Sequence, residues 1–443
     1  MRLLKKTIDS YLMETLASSQ GPDRVTLQYQ GWGKSEGCVC LPGSKSVAAR
    51  ALIMSFIYDY LYNINVDLRG LPLCDDTVEL NEAVRLLQQW KITCDEFTYD
   101  LGSGGTSLRF FLALVASIPD FRGEITCSEA MRRRPMRPLL DALRMAGADI
   151  KGENAPYLVT GRQLDDREIR VDSNLSSQFE SALAMASLLW KHPFCNNVST
   201  GVSRPYVEMT NAVIAAFSHA AANNRLSGGF VYNIEKDWSA ASYFYEFALI
   251  CPEREIILPG LKGSPCSLQG DAACRDIFAG LGVKSVETVG ADNSGITLKG
   301  IKSEIDSIKR NSEIIKFNLE NTPDLVPALA VGLCLADIKF EFDGVGHLRF
   351  KESDRIESIT GELAKIGFVI ESSDKKMAWR GKTTEARNCK NPVFDSHNDH
   401  RIAMALAVAA PCFHSVTING AGAINKSFPD FISSISNLGI EAV

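Results

Sequence analysis

Patterns for metal binding and disulfide formation are scarce in this chain of 443 residues. Its six histidines show no His-Glu-x-x-His spacing, and its twelve cysteines include no Cys-x-x-Cys pair. Most of the cysteines lie in apolar contexts, as Cys334 does within Gly332–Leu335, which is typical of reduced core thiols in the cytosol. The sequence therefore predicts no metal site, no disulfide framework and a cytoplasmic location.

Long apolar runs and an excess of basic residues are also missing. Apolar stretches such as Met54–Ile57 and Ile402–Cys412 are far too short to span a membrane, and the first residues lack the apolar core of a secretory signal. The formal net charge of −6 argues against a general nucleic-acid binder. What remains is an ordinary globular composition, 45% hydrophobic and 23% charged, in a chain long enough for two domains.

A recurring junction is the most informative feature that the chain does have. In five places a predicted helix ends at a turn and leads directly into a short hydrophobic strand: Leu86–Thr93, Leu143–Ile150, Phe278–Val286, Leu363–Ile370 and Ile435–Val443. Glycine marks four of these junctions, as is usual at helix ends, at Gly147, Gly282, Gly367 and Gly439, and Trp90-Lys91 holds the position in the first.

The widest gap between junctions contains a further predicted helix, Ser203–Phe217, so we count six units. Six units predict an α/β protein built by repetition, with an active site shared between copies. Chance spacing of ordinary α/β connections would explain the periodicity about equally well.

Small, hydroxyl and cationic residues cluster at the predicted helix starts. Leu41–Ser46 follows a strand and opens the helix Val47–Tyr58, where backbone N–H groups, the helix dipole and Lys45 can bind an anion. A plain helix cap is the alternative there, and each further helix start taken alone is more often structural. If two domains faced each other with these helix starts, they would form a strongly anion-seeking cleft.

Taken together, these motifs resemble the 5-enolpyruvylshikimate-3-phosphate (EPSP) synthase family. They occur in the family's order as Pro42–Ser46 with Arg50, Gly105-Thr106 with Arg109, Arg134-Pro135, Ser176–Gln178, Ser203–Tyr206, Pro323-Asp324, Lys351–Arg355, Asn398–Arg401 and Lys426–Asp430. The resemblance runs from about Leu41 to Asp430, and residues 1–40 match poorly.

The resemblance implies an α/β fold of the two-domain, inside-out α/β barrel type. Each domain would contain three βαβαββ repeats around a pseudo-threefold axis. One domain would combine residues 1–43 and 235–443, and residues 44–234 would form an inserted domain.

Members of the family transfer the enolpyruvyl group of phosphoenolpyruvate (PEP) to the 5-hydroxyl of shikimate 3-phosphate and release phosphate, through a tetrahedral intermediate. The reaction lies on the shikimate pathway to chorismate and the aromatic amino acids. The resemblance implies no cofactor and no metal. It also implies two small-molecule substrates as partners, rather than nucleic acid or membrane, and a cytoplasmic monomer.

The resemblance also assigns roles to individual residues. Asp324 would deprotonate the 5-hydroxyl, Glu352 would protonate and later deprotonate the PEP methylene with Lys45 as partner, and His400 would be the family's active-site histidine. Shikimate 3-phosphate would be bound by Lys45, Ser46, Arg50, Ser176, Ser177, Gln178, Ser203, Tyr206, Asp324, His347 and Lys351. PEP would be bound by Lys45, Gly105, Arg134, Gln178, Arg355, Arg401 and Lys426, and the lysines and arginines would also stabilise the departing phosphate.

Three positions depart from the family's pattern. Ser103-Gly104 replaces Asn-Ala before Gly105, Phe110 replaces a common proline, and His347 replaces a frequent asparagine. The family is the target of the herbicide glyphosate, which occupies the PEP subsite. Because tolerant members often have alanine at the position of Gly105, this chain resembles a sensitive type.

Two other functions compete with this interpretation. The sister family of UDP-N-acetylglucosamine enolpyruvyl transferases has Lys-Asn where this chain has Lys45-Ser46, and it has a reactive loop cysteine whose surroundings those of Cys127 do not resemble. A non-catalytic binding protein on the same scaffold is the other alternative. The presence of both Asp324 and Glu352 argues against it.

Overall fold

The computed structural model describes residues 23–31, 37–165, 169, 177–194, 203–224, 228–252, 254–263, 265–288 and 294–443. Their helices are α1 Lys45–Tyr62, α2 Asp75–Thr93, α3 Gly105–Ala116, α4 Glu129–Arg132, α5 Arg137–Met145, α6 Ser177–Ala186, α7 Arg204–Asn223, α8 Trp238–Ile250, α9 Cys274–Ala279, α10 Lys302–Asn311, α11 Val326–Leu335, α12 Arg355–Lys365, α13 His400–Val408 and α14 Phe431–Ser436.

The strands are β1 Arg24–Tyr29, β2 Asn65–Arg69, β3 Phe97–Asp100, β4 Arg122–Thr126, β5 Asp149–Lys151, β6 Tyr157–Thr160, β7 Gly229–Asn233, β8 Glu255–Pro259, β9 Val283–Thr288, β10 Gly295–Gly300, β11 Ile315–Asn318, β12 Phe340–Asp343, β13 Phe368–Ser372, β14 Lys376–Thr383, β15 Val393–Asp395, β16 Val416–Asn419 and β17 Ile440–Ala442. Among the described helices, none is long and apolar enough to cross a membrane.

These elements pack around two hydrophobic cores. One core takes its residues from Val25 to Leu41 and from Trp238 to Ile440, and we call this part the terminal half. The other takes its residues from Val47 to Ile234, and we call it the central half. Burying these side chains is the main force that holds each half together.

The two chain crossings between the halves lie side by side. Gly43 forms a bridge with Lys236, and the Ser44 N–H donates to the Glu235 carbonyl oxygen at 2.7 Å. A Cβ on Gly43 would stand 2.0 Å from the Gly70 carbonyl oxygen, so the close approach of these backbones requires glycine.

Three of the sheets share one construction. Their strand orders are β3-β4-β6-β5, β11-β12-β14-β13 and β15-β16-β1-β17. In each, the first two strands are parallel, and the remaining neighbours are antiparallel. Along the chain β11, α11, β12, α12, β13 and β14 follow one another in that order, and the run β3, α3, β4, α4, α5, β5 and β6 differs only by the additional short helix α4. The repeated construction agrees with the periodicity seen in the sequence.

The remaining strands form two smaller sheets. In the sheet β8-β10-β9 all neighbours are antiparallel, and Cys38 adds a parallel bridge to Ile257 of β8. Strands β2 and β7 pair in parallel in the central half.

Four of the five predicted helix-to-strand junctions have left-handed glycines. Gly147, Gly282, Gly367 and Gly439 have φ values of 102°, 88°, 87° and 82°, which only glycine adopts at little cost. The prediction for the first junction was wrong. There α2 continues through Trp90-Lys91 to Thr93, and Cys94, with φ 55°, ends the helix.

Candidate active site

A cleft of about 920 Å³, counted with its open mouth, has walls from both halves. The starts of six helices supply much of the wall. Lys45 and Ser46 begin α1, Gly105 begins α3, Ser177 begins α6, Ser203 precedes α7, Arg355 begins α12 and His400 begins α13. Because free N–H groups and the positive end of each helix dipole are found there, the fold itself favours anions in this cleft.

The structure brings sixteen of the predicted site residues together in this cleft: Lys45, Ser46, Arg50, Gly105, Arg134, Ser177, Gln178, Ser203, Tyr206, Asp324, His347, Lys351, Glu352, Arg355, His400 and Arg401. Ser176 lies outside the described residues. Lys426 is not among the lining side chains, because its ammonium group donates to the Asn398 carbonyl oxygen at 2.8 Å and to Asn398 Oδ1 at 3.0 Å.

Positive charge predominates on the walls. Among the residues that the structure describes, seven cationic side chains and three carboxylates line the cleft, although the whole chain has a formal net charge of −6. Such a local excess attracts polyanions far more strongly than the net charge suggests.

Arg355 is the centre of the charge network in the terminal half. Its side chain is 2% exposed, and it pairs with Asp324, Glu352 and Asp399 at 2.8, 2.6 and 2.8 Å. Burial lowers its pKa, but these three carboxylates outweigh burial and raise the pKa above the ordinary arginine value. A buried guanidinium shared by three carboxylates is rigid and permanently charged.

Asp324 receives hydrogen bonds from both halves. Arg355 and Arg401 donate to its two oxygens at 2.8 and 2.6 Å, and the Tyr206 hydroxyl donates from the central half at 2.9 Å. Burial raises the pKa of this carboxyl, but Arg401, Lys351 and Arg355 outweigh burial and hold the pKa well below its usual range. Asp324 is therefore ionised.

Glu352 is the second carboxylate that joins the halves. Its Oε2 pairs with Arg355, and its Oε1 lies 3.3 Å from Nη1 of Arg134, a residue of the central half. Burial raises its pKa, but Arg134 and Arg355 outweigh burial, so the pKa lies well below the ordinary value. Each of the two carboxylates assigned to proton transfer thus contacts the opposite half.

Two other arginines of the central half, Arg50 and Arg109, are held by neutral groups instead. Arg50 donates to Thr210 Oγ1, Ser181 Oγ and the carbonyl oxygens of Ser46 and Tyr206. Burial lowers its pKa to about 10. No carboxylate is among these partners, so the charge of Arg50 is not locally compensated.

Arg109, which follows the Gly105-Thr106 motif, is also held by neutral groups. It donates to Gln178 Oε1 and, at 2.8 Å, to the Pro135 carbonyl oxygen, and it lies over the Phe179 ring. Burial, with a smaller effect of the neighbouring Arg134, lowers its pKa to about 9. Arg109 therefore orients the Gln178 amide and the Arg134-Pro135 turn.

Two histidines face the cleft as neutral rings. Within the part of the chain that the structure describes, both ring nitrogens of His400 and Nε2 of His347 are buried and have no hydrogen-bond partner. Burial, followed by Lys45, keeps the pKa of His400 well below the ordinary value, and burial, followed by Lys351, lowers the pKa of His347 to about 4. Unpartnered buried polar atoms at a cleft wall are available to a bound ligand.

Sequence reasoning gave no role to five lining residues: Asp76, Thr106, Arg109, Pro135 and Phe350. Thr106, Arg109 and Pro135 belong to the motifs and could have been included on that basis. Asp76 gave no usable signal, because acidic residues are ordinary in the first turn of a helix. Phe350, 53% exposed at the cleft, is likewise unmarked by any pattern.

Comparison with known proteins connects this geometry to a family. The family model for EPSP synthase (3-phosphoshikimate 1-carboxyvinyltransferase) matches residues 29–435. A 3-phosphoshikimate 1-carboxyvinyltransferase of Bacteroides fragilis (strain YCH46) is 32% identical over 418 residues, covering 90% of this chain and 94% of the relative. One from Methanosphaera stadtmanae is 29% identical, with 94% and 100% covered.

Solved structures show the same fold at low identity. An EPSP synthase from Acinetobacter baumannii has a TM-score of 0.61 and 19% identity, with 95% of this chain and 100% of that chain covered. The enolpyruvyl transferase NikO from Streptomyces tendae has a TM-score of 0.62 and 12% identity, with 95% and 98% covered. The two-domain α/β architecture is therefore that of enolpyruvyl transferases.

Proposed function

The chain belongs to the EPSP synthase family, and we propose that the cleft between its two halves is the active site in which the enolpyruvyl group of PEP passes to the 5-hydroxyl of shikimate 3-phosphate. The protein is an enzyme of the shikimate pathway, a transferase with the reaction of its 3-phosphoshikimate 1-carboxyvinyltransferase relatives. One observation carries the site assignment. Two carboxylates that share Arg355 face an excess of cations in one cleft.

Shikimate 3-phosphate binds between the two halves in this proposal, with its phosphate at the helix starts of the central half. Ser46, Ser177 and Ser203 stand at helix starts, where their hydroxyl and backbone N–H groups suit a phosphate, and Ser176 completes the set by resemblance. Lys351, Tyr206, His347 and Gln178 supply the other polar contacts. Arg50 uses four donor contacts on protein atoms, so we assign it the task of holding Ser46 and Tyr206 and adding charge.

PEP binds where the two halves meet. Lys45, Gly105, Arg134 and Gln178 approach from the central half, and Arg355 and Arg401 approach from the terminal half. Lys426 joins this subsite only when its ammonium group leaves the two oxygens of Asn398 and binds the substrate. Its long, flexible side chain allows this movement.

Substrate binding prepares the two carboxylates for proton transfer. Arg355 and Arg401 hold the pKa of Asp324 far below the working pH, so Asp324 is a weak base while they bind it. A general base works best when its pKa lies near the working pH. A PEP carboxylate that takes these two guanidinium groups withdraws their hydrogen bonds from Asp324 and raises its pKa. The phosphate of PEP likewise draws Arg134 away from Glu352, which raises the pKa of the Glu352 carboxyl.

The reaction then follows from the positions of these groups. Glu352, or Lys45 beside it, protonates the PEP methylene carbon, and the 5-hydroxyl, losing its proton to Asp324, attacks C2 to give a tetrahedral ketal. The carboxylate of Glu352, which the first step leaves deprotonated, then takes back a methyl proton while phosphate departs, and the double bond is restored. The cations of the cleft stabilise the leaving phosphate, and the neutral His400 offers ring nitrogens for a hydrogen bond beside this centre.

The finer points of architecture and location are also proposals. We propose domains of residues 1–43 with 235–443 and of residues 44–234, each with three βαβαββ repeats around a pseudo-threefold axis. The two cores and the paired crossings near Gly43 and Lys236 support these boundaries. By resemblance the enzyme is a cytoplasmic monomer.

The decisive experiment is an assay of phosphate release from shikimate 3-phosphate and PEP, run in parallel with UDP-N-acetylglucosamine and PEP. We expect release with the first pair only. Cys127 supports this choice, because the thiol is 2% exposed and burial raises its pKa to about 11, which is unsuited to a reactive cysteine. Release with the second pair alone would overturn the proposal.

A further inference from the structure

Asp76 is a carboxylate of the cleft wall to which neither the motifs nor the comparisons give a role. It is the second residue of α2, and its Oδ2 lies 2.8 Å from Nζ of Lys45. The two side chains are 15% and 18% exposed. Its carbonyl oxygen accepts a hydrogen bond from Ser107 Oγ of α3 at 2.9 Å. Asp76 therefore ties together the helix starts that carry Lys45 and Gly105.

The environment of Lys45 shows why this carboxylate is needed. Titratable groups from several elements act on the ammonium group: Cys74, Asp75, Asp76, Asp237, Glu352 and His400. Asp76 is hydrogen-bonded to it directly. Burial lowers the pKa of Lys45, but the attraction of Asp76 and its neighbours outweighs burial, so the pKa lies above the ordinary lysine value. Without Asp76, burial would favour the neutral amine.

We infer that Asp76 is a positioning residue for the enolpyruvyl transfer, holding the Lys45 ammonium group charged and aimed at the place where PEP phosphate departs. The ion pair is only partly exposed, so its geometry is fixed better than that of a surface pair. A fixed cation stabilises a leaving phosphate more than a mobile one. This inference rests on the proposed function of the cleft.

The test compares Asp76→Asn with Asp75→Asn, the neighbouring carboxylate on the same helix turn, which is not a lining residue. In Asp76→Asn we expect kcat/KM for PEP to fall on the order of 10- to 100-fold, the usual effect of losing a hydrogen bond between charged groups. We also expect the alkaline limb of its pH profile to move to lower pH by about one pH unit, because Lys45 loses the group that keeps it protonated. Asp76→Glu, which keeps the charge, should restore part of the rate. Asp75→Asn removes a charge near Lys45 but no hydrogen bond to it, so it should lower kcat/KM by no more than about threefold.

Three results separate failure of this inference from failure of the proposed function. If the unchanged enzyme releases phosphate and Asp76→Asn keeps its alkaline limb, whether or not it is less stable, Asp76 is merely structural and the inference is wrong. The inference is also wrong if Asp75→Asn moves the limb as far as Asp76→Asn does. An unchanged enzyme that releases no phosphate would overturn the proposed function, and the inference with it.

Discussion

Two pairs of arginines, one pair from each half of the cleft, are held in opposite ways. In the central half, Arg50 and Arg109 donate to hydroxyl, amide and carbonyl oxygens, and burial lowers their pKa values to about 10 and about 9. In the terminal half, Arg355 and Arg401 pair with carboxylates, which raise their pKa values despite burial. Arg50 and Arg109 thus offer uncompensated charge to a phosphate, while Arg355 and Arg401 offer charge that a substrate must take from a carboxylate.

This difference divides the work of the site. Uncompensated cations bind a dianion at once, because no ion pair has to be broken first. Compensated cations couple binding to chemistry, because each guanidinium that turns to PEP changes the proton affinity of Asp324 or Glu352. We therefore expect substitutions in the terminal half to affect turnover and those in the central half to affect affinity.

Glu352→Gln should give the largest effect. The amide keeps the shape of the side chain but cannot carry a proton to and from the PEP methylene, so we expect kcat to fall about 10²- to 10⁴-fold. Affinity for shikimate 3-phosphate, measured by calorimetry, should change little. Glu357→Gln is the matched control, since Glu357 is an exposed glutamate in the first turn of α12, the helix that follows Glu352. A Glu352→Gln enzyme with normal turnover and weakened binding would contradict the comparison.

Removing one arginine from each half tests the comparison in the folded protein. Arg355→Met leaves Asp324, Glu352 and Asp399 without their common partner, and breaking a buried ion pair in this way costs about 3–5 kcal/mol. Arg109→Met leaves only neutral acceptors unsatisfied, at a cost on the order of 1–3 kcal/mol. Urea unfolding at pH 7 measures both. Equal losses in the free energy of unfolding would mean that pairing with carboxylates does not distinguish Arg355 from Arg109.

The neutral, buried ring of His347 should make the stability of the protein depend on pH, in a direction that its lowered pKa determines. Its pKa is lowered from 6.5 to about 4 in the folded protein, so between those pH values the unfolded chain binds more protons. Stability must then fall as the pH decreases from about 6.5 towards 4, by up to about 2 kcal/mol at pH 5 from this group. We expect His347→Asn to lose less stability than the unchanged protein between pH 7 and pH 5, measured as urea midpoints. Parallel curves for the two proteins would refute the neutral buried ring.

Some of these features could be predicted from the sequence and others could not. The four junction glycines were predictable because a left-handed residue is nearly free for glycine alone, whereas Cys94 adopts the same conformation without any signal. The motifs identified the cleft residues because they occur along the chain in the family's order. The contact of Asp76 with Lys45 arises only when α1 and α2 pack together, and the contact of Arg109 with the Pro135 carbonyl oxygen only when α3 meets the next turn. Contacts of this kind depend on tertiary packing and leave no pattern in the sequence.

Gly105→Ala tests how closely the two halves approach, and its expected effect is the smallest. A Cβ on Gly105 would lie 2.6 Å from Nη1 of Arg134, closer than any ordinary contact, so the guanidinium must move away. Arg134 reaches across to Glu352 at 3.3 Å, and its displacement therefore reshapes the phosphate end of the PEP subsite. Glyphosate is slightly longer than PEP, so we expect its inhibition constant to rise about tenfold or more and KM for PEP to rise less. Gly361→Ala is the matched control, because no atom of the described residues lies within 4 Å of the added methyl group. Inhibition should be competitive with PEP in the unchanged enzyme. Equal inhibition of the unchanged enzyme and Gly105→Ala would show that Gly105 and Arg134 do not bound this subsite, and that the central half meets PEP elsewhere.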